Sequence, residues 1–450
     1  MADAPRSRRR VLGLLAAGAL AGCTGGSDDA PSTDGATGEP TTTAGSTTEG
    51  PPETTETPPD PRPEPGSGGD WSLPGYDLGN TGYNGDAAGP GGLPERVWQS
   101  NVDGIYTMSQ MAFRDGTVYT ASGEQAYAVD AASGDRLWAR NVEFLGHHYP
   151  VAATSSTMFV PTRTLSGAST GGGSGCLYAF DADSGEVRWQ QDTPVTTAPV
   201  PAGETVYYGR STGGTSALVA RDVDDGTERW RAELAPTEGF VAVFGEPAVV
   251  DGVVYTTATV NGGSSTDGEG LVLAVDRESG ERLWERSLGE GAIAGPVVHD
   301  GTVYAATKDG RLAALSAADG SVRWEQTVEG DVYTTPVTDG DRVVALAGGA
   351  LVAVDAASGE GRWRTSIGDV LINGLATTGE TVYVGGNQLR ALDPADGSVR
   401  WEFPIPGATG AFGGPIVTGE TIFVGACIKQ EPREDYDDKV FALQRARGSE

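Results

Sequence analysis

IAGPVVHDGTVYAATKDGRLAALSAADGSVRWEQTV, residues 293–328, is the stretch from which the rest of the chain can be read. Pro296 to Val298 makes a short strand, and His299-Asp300-Gly301 a tight turn. Thr302 to Ala306 is a second strand. Lys308-Asp309-Gly310 turns the chain back into Arg311 to Leu315. Ala317 to Gly320 turns once more, and Ser321 to Trp324 begins a fourth strand. Asp-Gly pairs favour hairpins because both residues tolerate positive φ. Four short antiparallel strands within ~40 residues form one β-propeller blade.

The blade recurs. Its signature is Asp-x3-Gly-x3-Trp, found as Asp130/Gly134/Trp138, Asp181/Gly185/Trp189, Asp222/Gly226/Trp230 and Asp276/Gly280/Trp284. It continues as Asp355/Gly359/Trp363 and Asp393/Gly397/Trp401, with a further copy in which Ser316 replaces Asp before Gly320 and Trp324. Self-similarity at such a period marks a repeat fold. The Asp is expected to tie its turn, the Gly to take the left-handed position and the Trp to pack between blades. A buried Trp covers ~150–250 Å², roughly 4–6 kcal/mol gross. Trp98, Trp138, Trp189, Trp230, Trp284, Trp324, Trp363 and Trp401 are therefore read as structural. The last repeat, Pro415 to Val417, Thr421 to Val424 and Val440 to Leu443, lacks its own Trp strand. Glu95-Arg96-Val97-Trp98 is an orphan that can supply it. The expectation is an all-β, eight-bladed propeller whose ring is closed by the N-terminal strand, leaving no exposed seam.

Composition narrows the function. The net charge is −31, with 62 acidic residues against 31 basic, and the only lysines are Lys308, Lys429 and Lys439. Nucleic acid needs a basic footprint and is excluded as a partner class. Electrostatic attraction to an anionic lipid surface is disfavoured as well. The acidic, Lys-poor balance resembles that of proteins from salt-accumulating halophiles, with simple solubility from net charge as the alternative.

The N-terminus reads as an address. Ser7-Arg8-Arg9-Arg10-Val11-Leu12 resembles a twin-arginine export signal. The apolar run from Val11 to Gly22 is shorter than the ~20 residues a membrane-spanning helix needs and suits a signal peptide. Leu20-Ala21-Gly22-Cys23 looks like a lipobox, which implies lipid attachment at Cys23. Residues 24–70 are Thr, Pro, Gly, Ser and acid and cannot bury enough apolar surface to fold. The expected organisation is a twin-arginine-type lipoprotein signal peptide over 1–22, a disordered tether over 23–70, a lead-in segment over 71–93, the propeller over 94–445 and a tail over 446–450.

Over about 71–445 the chain resembles the PQQ-like, quinoprotein-type propellers. The segment Trp71-x3-Gly75-x-Asp77-x2-Asn80-Thr81-Gly82 with Gly89-Pro90 looks like the stretch that precedes the first blade in exported members. The repeats resemble those of quinoprotein alcohol dehydrogenases and of the lipoprotein scaffold of outer-membrane barrel assembly. The enzymes of that family hold their quinone against a vicinal disulfide, with calcium and an acidic base. Here the cysteines are Cys23, Cys176 and Cys427, none adjacent, and no motif matches the calcium ligands or the base.

Other chemistry is thinly supported. His147 and His148 are neighbours and could share a metal only from a loop; polar loop residues are the plainer reading. Gly167-Ala168-Ser169-Thr170-Gly171 has the nucleophile-elbow spacing but no helix after it. Glu431, Glu434, Asp435, Asp437 and Asp438 crowd one stretch without EF-hand spacing and are read as a solvated acidic loop. Cys176 and Cys427 fall in the second and eighth blades and are expected as thiols, a disulfide being the alternative. The long insertions are 143–150, 161–175, 232–247, 260–270 and 428–439, and the blade topology puts them all on one side of the ring. His147, His148, Tyr149, Phe240 and Phe244 in them are the candidate binding-face residues.

The sequence thus favours an exported propeller on the outer face of the cytoplasmic membrane. It would be lipid-anchored and act as a binding or scaffold module for an envelope protein or small ligand. No metal, catalytic residue or cofactor is expected. The alternative is a PQQ-dependent oxidoreductase with calcium.

Overall fold

The computed structural model describes residues 69–446 apart from 103–108, 143–145, 149, 165–174, 213–214, 234–239, 244, 263–267, 291–293, 369–373, 387, 406–407 and 431–434. Among these there is no helix; the chain forms eight antiparallel sheets, six of four strands and two of five. The repeat quoted above becomes Val297–His299, Thr302–Ala306, Arg311–Ser316 and Val322–Thr327. Its turns hold Asp300 at φ 44° and Gly301 at φ 66°, as the Asp-Gly pair requires.

The eighth blade joins the two ends of the propeller. Its strands are Ala408–Thr418, Thr421–Gln430 and Asp435–Arg445, completed by Pro94–Val102 from the start of the ring. Glu95 pairs with Gln444 and Trp98 with Ala442. The expected ring closure by the N-terminal strand is therefore present.

Neighbouring blades are latched by the repeat signature. The indole N–H of Trp98 donates to the Ala131 carbonyl at 2.8 Å, and that of Trp138 to Ala182 at 2.9 Å. Trp189, Trp230, Trp284, Trp324 and Trp363 donate in the same way to Val223, Arg277, Ala317, Ala356 and Pro394. Each acceptor lies in the Asp-x3-Gly turn of the following blade. The turn glycine lies against the same ring: a Cβ on Gly185 would stand 2.6 Å from Trp138, and one on Gly226 2.7 Å from Trp189. Trp401 faces the closing blade, where the third and fourth strands come from opposite ends of the propeller and no such turn exists.

A bulge in the outermost strand sits just before each of these tryptophans. A bulge frees one residue from the ladder and re-aims it. Arg229, Arg362 and Arg400 occupy such positions and reach the signature carboxylates of Asp222, Asp355 and Asp393 at 2.6, 2.7 and 2.8 Å. Those bonds hold the three carboxyls below the usual carboxylate range. Where the bulged residue is Leu137 or Leu283, the side chain stays exposed. The buried apolar clusters combine residues of adjacent blades, for instance Ala112 to Val142 with Val151 to Ala182. The core is therefore a ring of inter-blade layers rather than one central mass.

The lead-in segment does more than precede the first blade. Its carbonyls accept from the innermost strands in order around the axis. Phe113 N–H donates to Trp71, Ala153 to Ser72, Val249 to Leu78, Val298 to Gly79, Thr338 to Thr81 and Thr377 to Gly82. Asn84 and Gly89 then donate to Thr377 and Gly419. The segment runs around the channel like a drawstring and pairs backbone groups that the inner edge would otherwise leave unmatched. Asp77 fixes its turn by accepting from the Thr81 backbone N–H and hydroxyl at 2.9 and 2.8 Å. Asn84, fully buried, donates its amide to the Val417 carbonyl at 2.9 Å.

Candidate functional site

In a four-stranded blade of alternating direction, the turn joining strands two and three opens on the same side as the connection into the next blade. On that side blades two, four and eight carry extended hairpins. Gly146–His148 pairs with the long strand Thr157–Thr164, and Phe240–Val243 with Val253–Gly262. The first part of Ala408–Thr418 pairs with Thr421–Gln430. The inserted segments have in part become strand.

His147 and His148 accordingly lie in a strand rather than a loop, and Phe240 begins another. Tyr149 and Phe244 lie outside the described residues, as do Ser169 with its flanking glycines, Glu431 and Glu434. Asp435, Asp437 and Asp438 belong to the strand Asp435–Arg445, so that part of the stretch read as an acidic loop is ladder. Asp438 is buried and accepts from Ser122 at 2.6 Å. Cys176 and Cys427 are buried thiols, and Cys176 donates to Asp192 at 3.3 Å. Cys23 and the rest of the N-terminal segment are outside the described residues.

The central channel holds the candidate site. Its floor is the lead-in segment, at Pro74, Gly75, Asn80 and Gly82. Its walls are the residues that precede the innermost strands, among them Gln110, Glu246, Thr334, Thr335 and Leu375. The cavity measures about 170 Å³. Glu246 is the one charged residue among the described lining residues. Its residue accessibility is intermediate because one side faces the cavity, while protein crowds the carboxyl on the others. Burial pushes that carboxyl above its usual range.

Each of the neighbouring donor groups on Thr335, Asn80 and Gln110 has at least one partner. The Thr335 hydroxyl donates to Glu246 at 3.2 Å and accepts from the Gly295 N–H at 3.0 Å. The Asn80 amide donates to the Pro296 carbonyl at 3.2 Å, and the Gln110 amide to Pro74 at 2.9 Å. The Thr334 hydroxyl oxygen is buried with no hydrogen-bond partner among the described residues. Gly295 has no room for a side chain: a Cβ there would stand 2.9 Å from both the Asn80 amide nitrogen and the Glu246 carboxylate.

Sequence reasoning missed this constellation. Asn80 was visible only as part of the lead-in pattern and Glu246 only as one residue of the 232–247 insertion. Nothing local marks either as facing the axis.

A quinone tricarboxylate held with calcium would need cations and several oxygen ligands. The described lining residues supply one carboxylate and no cation. No group of three or more His, Cys, Asp or Glu able to hold a metal occurs among the described residues. The residue set does not fit that cofactor.

A family model described as outer membrane protein assembly factor BamB matches residues 94–267, 268–412 and 347–450. The serine/threonine-protein kinase AfsK of Streptomyces griseus is 31% identical over 203 residues, 43% of this chain and 19% of that protein. The outer membrane protein assembly factor BamB of Xanthomonas campestris pv. campestris is 33% identical over 109 residues, 22% of this chain and 25% of that one. The chain thus spans about a fifth to a quarter of the length of these curated relatives. Among solved structures, the quinohemoprotein alcohol dehydrogenase ADHIIG of Pseudomonas putida HK5 superposes with a TM-score of 0.63 at 16% identity. That match covers 86% of this chain and 81% of the enzyme, and it is a likeness of fold.

Proposed function

Because the chain belongs to the PQQ-repeat propeller family described as outer membrane protein assembly factor BamB, we propose that it is a non-catalytic binding or scaffold propeller, exported and lipid-anchored through Cys23 on the outer face of the cytoplasmic membrane. A fold does not fix a function, so the reading rests on the site. The observation that carries it is the channel: the chain's own segment floors it, and its described lining offers neither a cation for a quinone's carboxylates nor a metal-ligand cluster. Partner recognition then falls to the side of the ring where blades two, four and eight extend their hairpins, since insertions on a rigid repeat scaffold gather on the binding face. Its partner is an envelope protein or small ligand, and the acidic balance suits a salt-rich setting.

The test is partner capture. Cross-linking the membrane-anchored protein and identifying what it holds gives the reference. Replacing 234–239 with a short Gly-Ser turn should weaken that capture at least about tenfold, a loss of ~1.4 kcal/mol, while circular dichroism stays that of the intact ring. Capture that survives trimming of every long loop on that side, or that maps to the short-turn side, overturns the reading. So does PQQ-dependent alcohol oxidation by the purified protein.

A further inference from the structure

The channel cavity joins three features that the scaffold reading does not use. A carboxylate stands in it without a cationic neighbour among the described lining residues. Thr334, another lining residue, has a hydroxyl oxygen that is buried with no hydrogen-bond partner among the described residues. The amides of Asn80 and Gln110 each direct one N–H to a backbone carbonyl. We propose that this cavity is a binding site for a small organic ammonium ion, with Glu246 as its counter-ion. The inference deepens the binding-module reading, because it names the ligand class of the channel.

The chemistry selects the ligand by elimination. An anion would meet Glu246 with no positive charge among the described lining residues to hold it, and desolvating it there would be uncompensated. Calcium takes six to eight oxygen ligands and zinc usually four from Cys, His or carboxylate, and the described residues supply no group of three or more such ligands. An ammonium carries one positive charge and three donors with no acceptor, which matches one carboxylate plus neutral acceptors. Charge-assisted hydrogen bonds to a carboxylate are about twice as strong as neutral ones.

Size and polarity set the rest of the ligand. An engineered cavity of about 150 Å³ holds a benzene molecule; the channel cavity, at about 170 Å³, accommodates an ion of similar bulk. Pro336, Val337 and Leu375 give it an apolar wall for a short alkyl chain. Tyr333, 54% exposed, also lines the cavity, and its hydroxyl donates to Asp331 at 2.6 Å. A primary amine with a short hydrocarbon tail fits both ends.

Isothermal titration of n-butylammonium chloride into the full-length protein tests this. Sodium butyrate and calcium chloride at matched ionic strength are the comparisons. Saturable one-site binding of butylammonium, with none of butyrate, is expected. Glu246→Gln keeps the side-chain shape and should weaken butylammonium binding at least about tenfold. Glu246→Asp keeps the charge but draws it back by one methylene and should weaken binding by a smaller factor; if Glu246→Gln fails to fold by circular dichroism, this variant decides. Absence of saturation, unchanged affinity in the variant that decides, or displacement of butylammonium by calcium overturns the proposal. Partner capture by the hairpin side is measured separately. Capture that survives trimming of that side, alongside saturable ammonium binding, would sink the scaffold reading alone; capture that depends on that side, without ammonium binding, would sink only this site.

Discussion

Gly185 and Gly116 both take left-handed backbone, at φ 69° and 77°, yet their surroundings differ. A Cβ on Gly116 would meet open space, whereas one on Gly185 would run into the indole of Trp138. Gly116→Ala should therefore cost only the backbone strain, about 1–2 kcal/mol. Gly185→Ala should add the overpacking term of about 1–3 kcal/mol. Chemical denaturation of the two variants checks the difference; equal losses would mean the ring gives way and the latch is soft. This Asp, Gly and Trp grammar was legible in the sequence because each residue acts on its own turn or on the next blade. Glu246 was not legible. Its burial arises only when several separate blades converge on the axis, and no spacing along the chain encodes that convergence.

The strand Asp435–Arg445 shows what an element contributes. It pairs with Thr421–Gln430 on one side and Pro94–Val102 on the other, and Val440, Phe441, Ala442 and Leu443 are buried. Burying such apolar side chains stabilises by about 1.5–3 kcal/mol each, against a whole-domain stability of only about 5–15 kcal/mol. Deleting residues 440–450 should abolish the cooperative melting transition of the ring, or lower its midpoint steeply, in calorimetry. A truncated chain melting like the intact one would show the seam to be dispensable. The seam was readable because the orphan Trp98 strand and the Trp-less last repeat complement one another. The lead-in drawstring was not, because its bonds run through backbone carbonyls to strands from Phe113 to Gly419 and leave no side-chain pattern beyond its turn residues.

At the scale of the molecule, the propeller is a ring of inter-blade layers held shut at one seam, with a net charge of −31 across the whole chain. The drawstring belongs to neither a blade nor the seam, and this gives the ring an order in time. Residues 71–89 bond to partners at 113, 153, 249, 298, 338, 377 and 419, in a sequence that exists only once the blades have been brought around the axis. Contacts between residues so far apart along the chain come late, because the entropy of closing each loop must be met first. This lead-in stretch, which precedes every blade strand, is thus expected to be the last to settle. Pulse-labelled hydrogen exchange during refolding reads this directly. The amide of Phe180, in a third strand, should gain protection before those of Val249, Val298 and Thr377, whose hydrogens point at the drawstring. Simultaneous protection of both sets would mean that the segment templates the ring instead of finishing it.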